Sequence, residues 1–150
     1  MGLDMYLNGN IFFWDSDEDR IKVDGKPVKE MSIELGYWRK YPDLHGFIVR
    51  EFANGVDECQ DIELGEDDCE KIAKAIEDDD LPETQGFFFG TSDWHKDEKA
   101  QNAKVFRDAV KWTNGKDDGK VLTFKSALDK IDLNLEHSRV SRYVVYRASW

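Results

Sequence analysis

Tyr37, Trp38, Arg39 and Lys40, followed by His45, gather aromatic faces, two cations and an imidazole in one short stretch of an otherwise acidic chain. Such a set can bind an anionic or planar ligand. Rings stack, a guanidinium grips paired oxygens, and an imidazole exchanges a proton near neutral pH. Asp4 and Glu34 are the carboxylates best placed to face this spot if their strands pair. That pairing would put an acid, a base and an anion clamp into one cleft. The ordinary alternative is a buried Trp38, with Arg39 and Lys40 paired to nearby carboxylates and His45 capping or packing against its own helix.

A second candidate surface is acidic. Between residues 57 and 80 stand Asp57, Glu58, Asp61, Glu63, Glu66, Asp67, Asp68, Glu70, Glu77, Asp78, Asp79 and Asp80, against only Lys71 and Lys74. These twelve acids and two lysines sum to −10, within a chain of net −11. Charge so segregated can imitate the charge of DNA or dock a basic protein with fast, salt-sensitive association. It can equally be the solubilising face of a helix.

Metal and nucleophile patterns are weak. His45, Cys59, Cys69 and His95 could be written as four zinc ligands, yet no two have the short spacing that lets one turn present a pair. Asp15, Asp17 and Asp19 match the first three positions of a calcium loop. Arg20 replaces its glycine, however, and Lys26 falls where the bidentate glutamate belongs. No Gly-x-Ser-x-Gly, Cys-x-x-Cys or His-Glu-x-x-His signature occurs, so we expect neither metal nor cofactor.

Composition limits the remaining classes. With 150 residues, 40% of them hydrophobic, and 5 Trp, 5 Tyr and 9 Phe, the chain has material for one packed core, so residues 1–150 are expected to form a single globular domain. The negative charge repels phosphate backbones and argues against nucleic acid as a general partner. No stretch approaches the roughly 18 apolar residues of a membrane span, and the first residues lack the basic-then-apolar order of a signal peptide. Two cysteines fit a reducing compartment, so a cytoplasmic protein is expected.

Positioning these residues requires a mixed fold. Leu3, Met5 and Leu7 alternate with polar neighbours as in a half-buried strand, which Asn8-Gly9 is expected to turn into a hairpin with Ile11–Trp14. Asp24-Gly25 has the chemistry of a tight hairpin turn. A longer strand is predicted over Met31–Trp38. A helix should open at Pro42-Asp43, with Asp43 as its cap, and close at Asn54-Gly55. Gln60–Leu64 reads as a short strand, and Asp67–Glu77 as a helix with Cys69, Ile72, Ala73 and Ile76 inward. Gly86-Phe87-Phe88-Phe89-Gly90 fits a buried strand. A long helix is predicted from Ser92 or Asp93 to about Thr113, another around Phe124, Leu128, Ile131 and Leu135, and a final strand over Arg142–Trp150. The sum is an α+β fold, a mainly antiparallel sheet packed against three to four helices.

Four motifs stand in order: Met1-Gly2-Leu3-Asp4-Met5-Tyr6-Leu7, then Leu35-Gly36-Tyr37-Trp38-Arg39-Lys40 followed by His45, then Gly86-Phe87-Phe88-Phe89-Gly90, and the terminal Ser149-Trp150. Together they resemble an uncharacterised family of small proteins of tailed phages and bacteria. Some members carry a phosphoglycerate kinase label, but that enzyme is a large two-domain protein and this sequence has no Gly-rich phosphate loop. Charge segregation, the missing catalytic signatures and this resemblance together point to a phage-type accessory protein that binds a host or phage protein through the acidic surface of residues 57–80, in host takeover or anti-defence. The rival readings are a small enzyme or ligand-binding protein built on Tyr37–His45, and a structural component of the virion.

Overall fold

The computed structural model describes residues 2–16, 18, 20, 22–86, 89–114 and 140–150. Its elements run β1 (Asp4–Phe13), β2 (Lys22–Val23), β3 (Lys26–Pro27), β4 (Glu30–Arg39), α1 (Pro42–Phe52), β5 (Ile62–Leu64), α2 (Glu66–Glu77), a 3₁₀ helix (Asp93–Glu98), α3 (Lys99–Asn114) and β6 (Val140–Ser149). β4, β1, β6 and β5 form one four-stranded sheet in that order, antiparallel at every pairing, and β2 and β3 form a separate hairpin. The fold is α+β, as the pattern of elements predicts.

Strand alternation places the core. In β1 and the residue before it, Leu3, Met5, Leu7, Ile11 and Phe13 are buried, while Asp4, Tyr6, Asn8, Asn10 and Phe12 stay half-buried on the opposite face. The register carries this face across the sheet, with Met5 opposite Ala148 and Leu7 opposite Tyr146. Ile62 and Leu64 of β5 join them. The same cluster takes in Leu44 and Ile48 of α1, Ile72 and Ile76 of α2, and Phe106 and Trp112 of α3. Burial of this continuous apolar face is the main stabilising contribution.

Several expectations need correction. Asn8-Gly9 does not turn, and β1 continues through it with partners on both sides. Tertiary packing decides this, because the Trp112 indole lies on Gly9 where a Cβ would stand 2.5 Å from its Nε1. Asp24-Gly25 does turn, with φ of 50° and 74°, as a tight two-residue hairpin requires. Asp43 does not cap α1, since Tyr41 holds that position. Instead Asp43 sits inside the first turn, where its N–H donates to Ser92 Oγ at 3.1 Å and its carboxylate accepts the Thr84 N–H at 3.0 Å. Gly86, Phe89 and Gly90 lie in no strand, and the Phe89 N–H closes a turn onto the Gly86 carbonyl. Phe87 and Phe88 fall outside the described residues, as does the helix expected around Phe124–Leu135. The long helix after Ser92 starts as a 3₁₀ segment and becomes α-helical only from Lys99.

Candidate functional site

Residue types in β4 acquire their directions from one irregularity. Leu7 opposes Gly36 but Asn8 opposes Glu34, so Leu35 is an extra residue, a β-bulge. Before the bulge Glu30, Ser32 and Glu34 share the open face of the sheet with Phe12, Asn10 and Asn8. After it, Tyr37 and Arg39 do so, beside Tyr6 and Asp4, while Trp38 turns to the core opposite Met5.

At the C-terminal end of β4 the structure brings four of the expected residues together. The Tyr37 hydroxyl donates to Asp4 Oδ1 at 2.6 Å, and this bond is the main reason the Tyr37 hydroxyl is held above its usual pKa. Arg39 Nε stands 4.0 Å from the same oxygen, with the Arg39 side chain 60% exposed. Trp38 stacks on Phe106 at 5.3 Å and donates from Nε1 to Asn102 Oδ1 at 2.9 Å. Its burial follows the ordinary alternative, although one edge reaches the surface groove described below.

Three expected partners are placed elsewhere. Glu34 pairs with Asn8, about 13 Å along the strand from the Asp4–Arg39 row. Lys40 turns away at a φ of 55°, and its stem lies against Gly90. His45 leaves the cluster altogether. It is 2% exposed on α1, with Nδ1 2.7 Å from the Tyr146 hydroxyl and Nε2 2.9 Å from Asp57 Oδ2. Asp57 also accepts the Trp150 indole N–H at 3.2 Å. A single cleft combining Arg39, Lys40 and His45 therefore does not form. An α-helix turns His45 toward β6, whereas β4 holds Arg39 on the opposite face of the sheet.

His95, not His45, accompanies the aromatic cluster. Its ring stacks on Tyr41 at 4.3 Å, and its Nε2 lies 3.0 Å from the Arg39 carbonyl. A carbonyl only accepts, so Nε2 carries the proton. Trp94, beside it in sequence, is 81% exposed. Tyr37, Trp38, Arg39, Trp94, His95, Glu98, Gln101, Asn102 and Val105 line a groove of about 380 Å³. Sequence reasoning missed Trp94 and Asn102 and weighed His95 only as a metal ligand. The adjacent Trp94-His95 pair at a helix start was the available signal.

A neighbouring cleft of about 400 Å³ lies where the loop before the 3₁₀ helix meets α1. Among its lining groups, Asp43 joins Ser92 and Thr84 by hydrogen bonds, and Asp93 and Lys96 form a 2.9 Å ion pair. These bonds tie the loop before the 3₁₀ helix to the first turn of α1.

The acidic segment is interrupted by cations from elsewhere in the fold. Arg107 of α3 reaches Glu70 at 2.6 Å and Glu77 at 2.8 Å, Lys99 pairs with Asp79, and Arg147 stands 3.7 Å from Asp61. Asp68 accepts the Gly65 N–H at the start of α2, and Asp57 is held by His45 and Trp150. Glu58, Glu63, Glu66, Asp67, Asp78 and Asp80 remain exposed.

Cys59 and Cys69 are free thiols, and burial pushes Cys69 up to about 12. No group of three or more His, Cys, Asp or Glu side chains among the described residues could hold a metal ion, and no helix there is long and apolar enough to cross a membrane. Asp17 and Asp19 of the acidic loop lie outside the described residues. Comparison with protein-family models, curated proteins and solved structures finds no match to the chain.

Proposed function

We propose that this chain is an accessory binding protein of the phage type, acting on another protein in the host cytoplasm through the groove formed by Tyr37–Arg39 and Trp94. The observation that carries this reading is the exposed Trp94 indole beside a 49% exposed Tyr37 and the open guanidinium of Arg39. Trp, Tyr and Arg supply most of the energy at protein interfaces, because each covers a large area and keeps a polar handle. A tryptophan so exposed contributes little to folding. The acidic surface takes a steering role, since half of its carboxylates are engaged within the fold while the net charge still attracts a basic partner.

Capture of partners from host lysate over a salt series tests the assignment. Trp94→Ala and Arg39→Ala should each lose the partner, and Trp94→Ala should stay within about 0.5 kcal/mol of wild-type stability. Reversing Glu66 and Asp67 to lysine should weaken capture mainly at low salt. Capture that survives both groove variants but disappears with the acidic reversal would move the site to α2. Absence of any partner at every ionic strength would remove the reading.

A further inference from the structure

We propose that the groove takes a cationic side chain of its protein partner, lysine or arginine, whose charge bonds Glu98 and lies against the rings of Trp94 and Tyr37. This rests on the groove being a protein-binding surface and names what the partner puts into it.

Charge balance singles out Glu98. The fixed charges that line the groove are Arg39 and Glu98. Arg39 stands 4.0 Å from Asp4 on the open face of the sheet, so its charge is offset within the chain. Glu98 is 54% exposed, and among the described residues its ion-pair distance is to His95, not to a lysine or arginine. The residues three and four positions away along the chain are Trp94, His95, Gln101 and Asn102, none of them a fixed cation. The two nearest lysines in sequence are committed elsewhere, Lys96 to Asp93 and Lys99 to Asp79.

His95 makes the same spot more receptive to positive charge. Its Nε2 proton is given to the Arg39 carbonyl, which leaves Nδ1 of the neutral ring as an acceptor. That nitrogen is buried and meets no donor, and Glu98 Oε2, 4.0 Å from it, is an acceptor too. Two acceptors at this separation, partly shielded from water, set up a negative potential that a neighbouring cation relieves.

The walls suit such an occupant. Trp94 is 81% exposed and Tyr37 49% exposed, and the faces of both rings attract cations. The Tyr37 hydroxyl is engaged by Asp4, but that bond is made at the ring edge and does not use its face. Val105 and the edge of Trp38 offer apolar contact to the methylene stem of a long basic side chain. An acidic side chain would be repelled by Glu98. An apolar one would cover that carboxylate without pairing it. The chain's net charge of −11 steers basic segments toward the site.

Titration of the full chain with blocked pentapeptides, in which a single test residue is flanked by glycines, provides the measurement, read by heteronuclear NMR. Peptides carrying lysine or arginine should move the Trp94 indole and Glu98 amide signals and saturate at about millimolar concentration. Comparing the two shows which cation the site prefers. Peptides carrying glutamate or norleucine should move neither signal. Glu98→Gln and Trp94→Ala should each weaken cationic-peptide binding about threefold to fivefold. Glu34→Gln makes the same change in net charge at a distance and should leave binding unchanged. Norleucine or glutamate peptides that bind as tightly as the cationic ones overturn the proposal, as does a Glu98→Gln variant no weaker than Glu34→Gln. Capture from host lysate separates this claim from the one it rests on. Capture lost in Trp94→Ala but unchanged in Glu98→Gln would refute the cationic occupant and leave the groove as the binding surface. Cationic peptides that bind while no host protein is captured at any ionic strength would support the cation site and remove the host-protein reading.

Discussion

Tyr146→Phe removes one oxygen from the middle of the core, and its cost follows from what that oxygen touches. Tyr146 is fully buried, and its hydroxyl lies 2.7 Å from Nδ1 of an equally buried His45. The other imidazole nitrogen is committed to Asp57 at 2.9 Å, where a carboxylate can only accept, so Nε2 carries the proton and Nδ1 is the acceptor. Phenylalanine preserves the ring packing but strands that acceptor without water or a donor. A net hydrogen bond contributes about 1 kcal/mol, and an unsatisfied buried polar atom costs about 1–3 kcal/mol. A loss of about 2 kcal/mol is therefore expected, seen as a melting temperature lower by about 4–8 °C for a chain of this size. Urea and thermal unfolding of the wild type, Tyr146→Phe, His45→Leu and the double variant would measure it. Removing His45 as well eliminates the stranded nitrogen, so the double variant should be more stable than the sum of the single losses by at least about 1 kcal/mol. Strict additivity, or a Tyr146→Phe variant within about 0.5 kcal/mol of wild type, would refute the assignment of this hydrogen bond.

Gly9→Ala should destabilise by about 1–2 kcal/mol. Its new methyl would stand 2.5 Å from Trp112 Nε1 and 2.6 Å from Cε2, and the buried indole has no room to withdraw. Equal or higher stability in urea would show that Trp112 does not rest on β1. Stability should also fall in alkali. Burial raises Tyr146 well above the usual tyrosine range and Tyr41 and Cys69 to about 12 each, with carboxylates nearby adding to all three. A raised folded pKa means that the native state keeps protons the unfolded chain releases. The stabilisation is therefore complete below about pH 9 and declines toward pH 12, by up to about 1.4 kcal/mol per pH unit for each group. Flat unfolding free energy across that window would contradict the burial of these groups, and Cys69→Ala should flatten its lower part.

Local chemistry was enough to place much of the fold. Alternation in Leu3–Leu7, the Asp24-Gly25 turn, the Pro42 to Asn54-Gly55 helix and the apolar stripe of Cys69, Ile72, Ala73 and Ile76 depend on neighbours within one turn or one strand, and each stands where the sequence puts it. Asn8-Gly9 carried an equally strong local turn signal and was overridden by Trp112, more than a hundred positions away.

The site shows the same division more sharply. From residue types alone, Tyr37, Trp38 and Arg39 stand out as a binding cluster with Asp4 across the strand pair, and the structure brings all four to one place. Which imidazole joins them was decided by the direction in which α1 emerges after Lys40. That turn sends His45 to Tyr146 and Asp57, while the 3₁₀ helix brings His95 to Arg39. Likewise the sequence determined that residues 57–80 carry a net of −10, but only packing brought Arg107, Lys99 and Arg147 against them. Composition and spacing record what a residue can do. Pairings between distant segments depend on register, helix direction and one bulge at Leu35, none of which has a local signature strong enough to read.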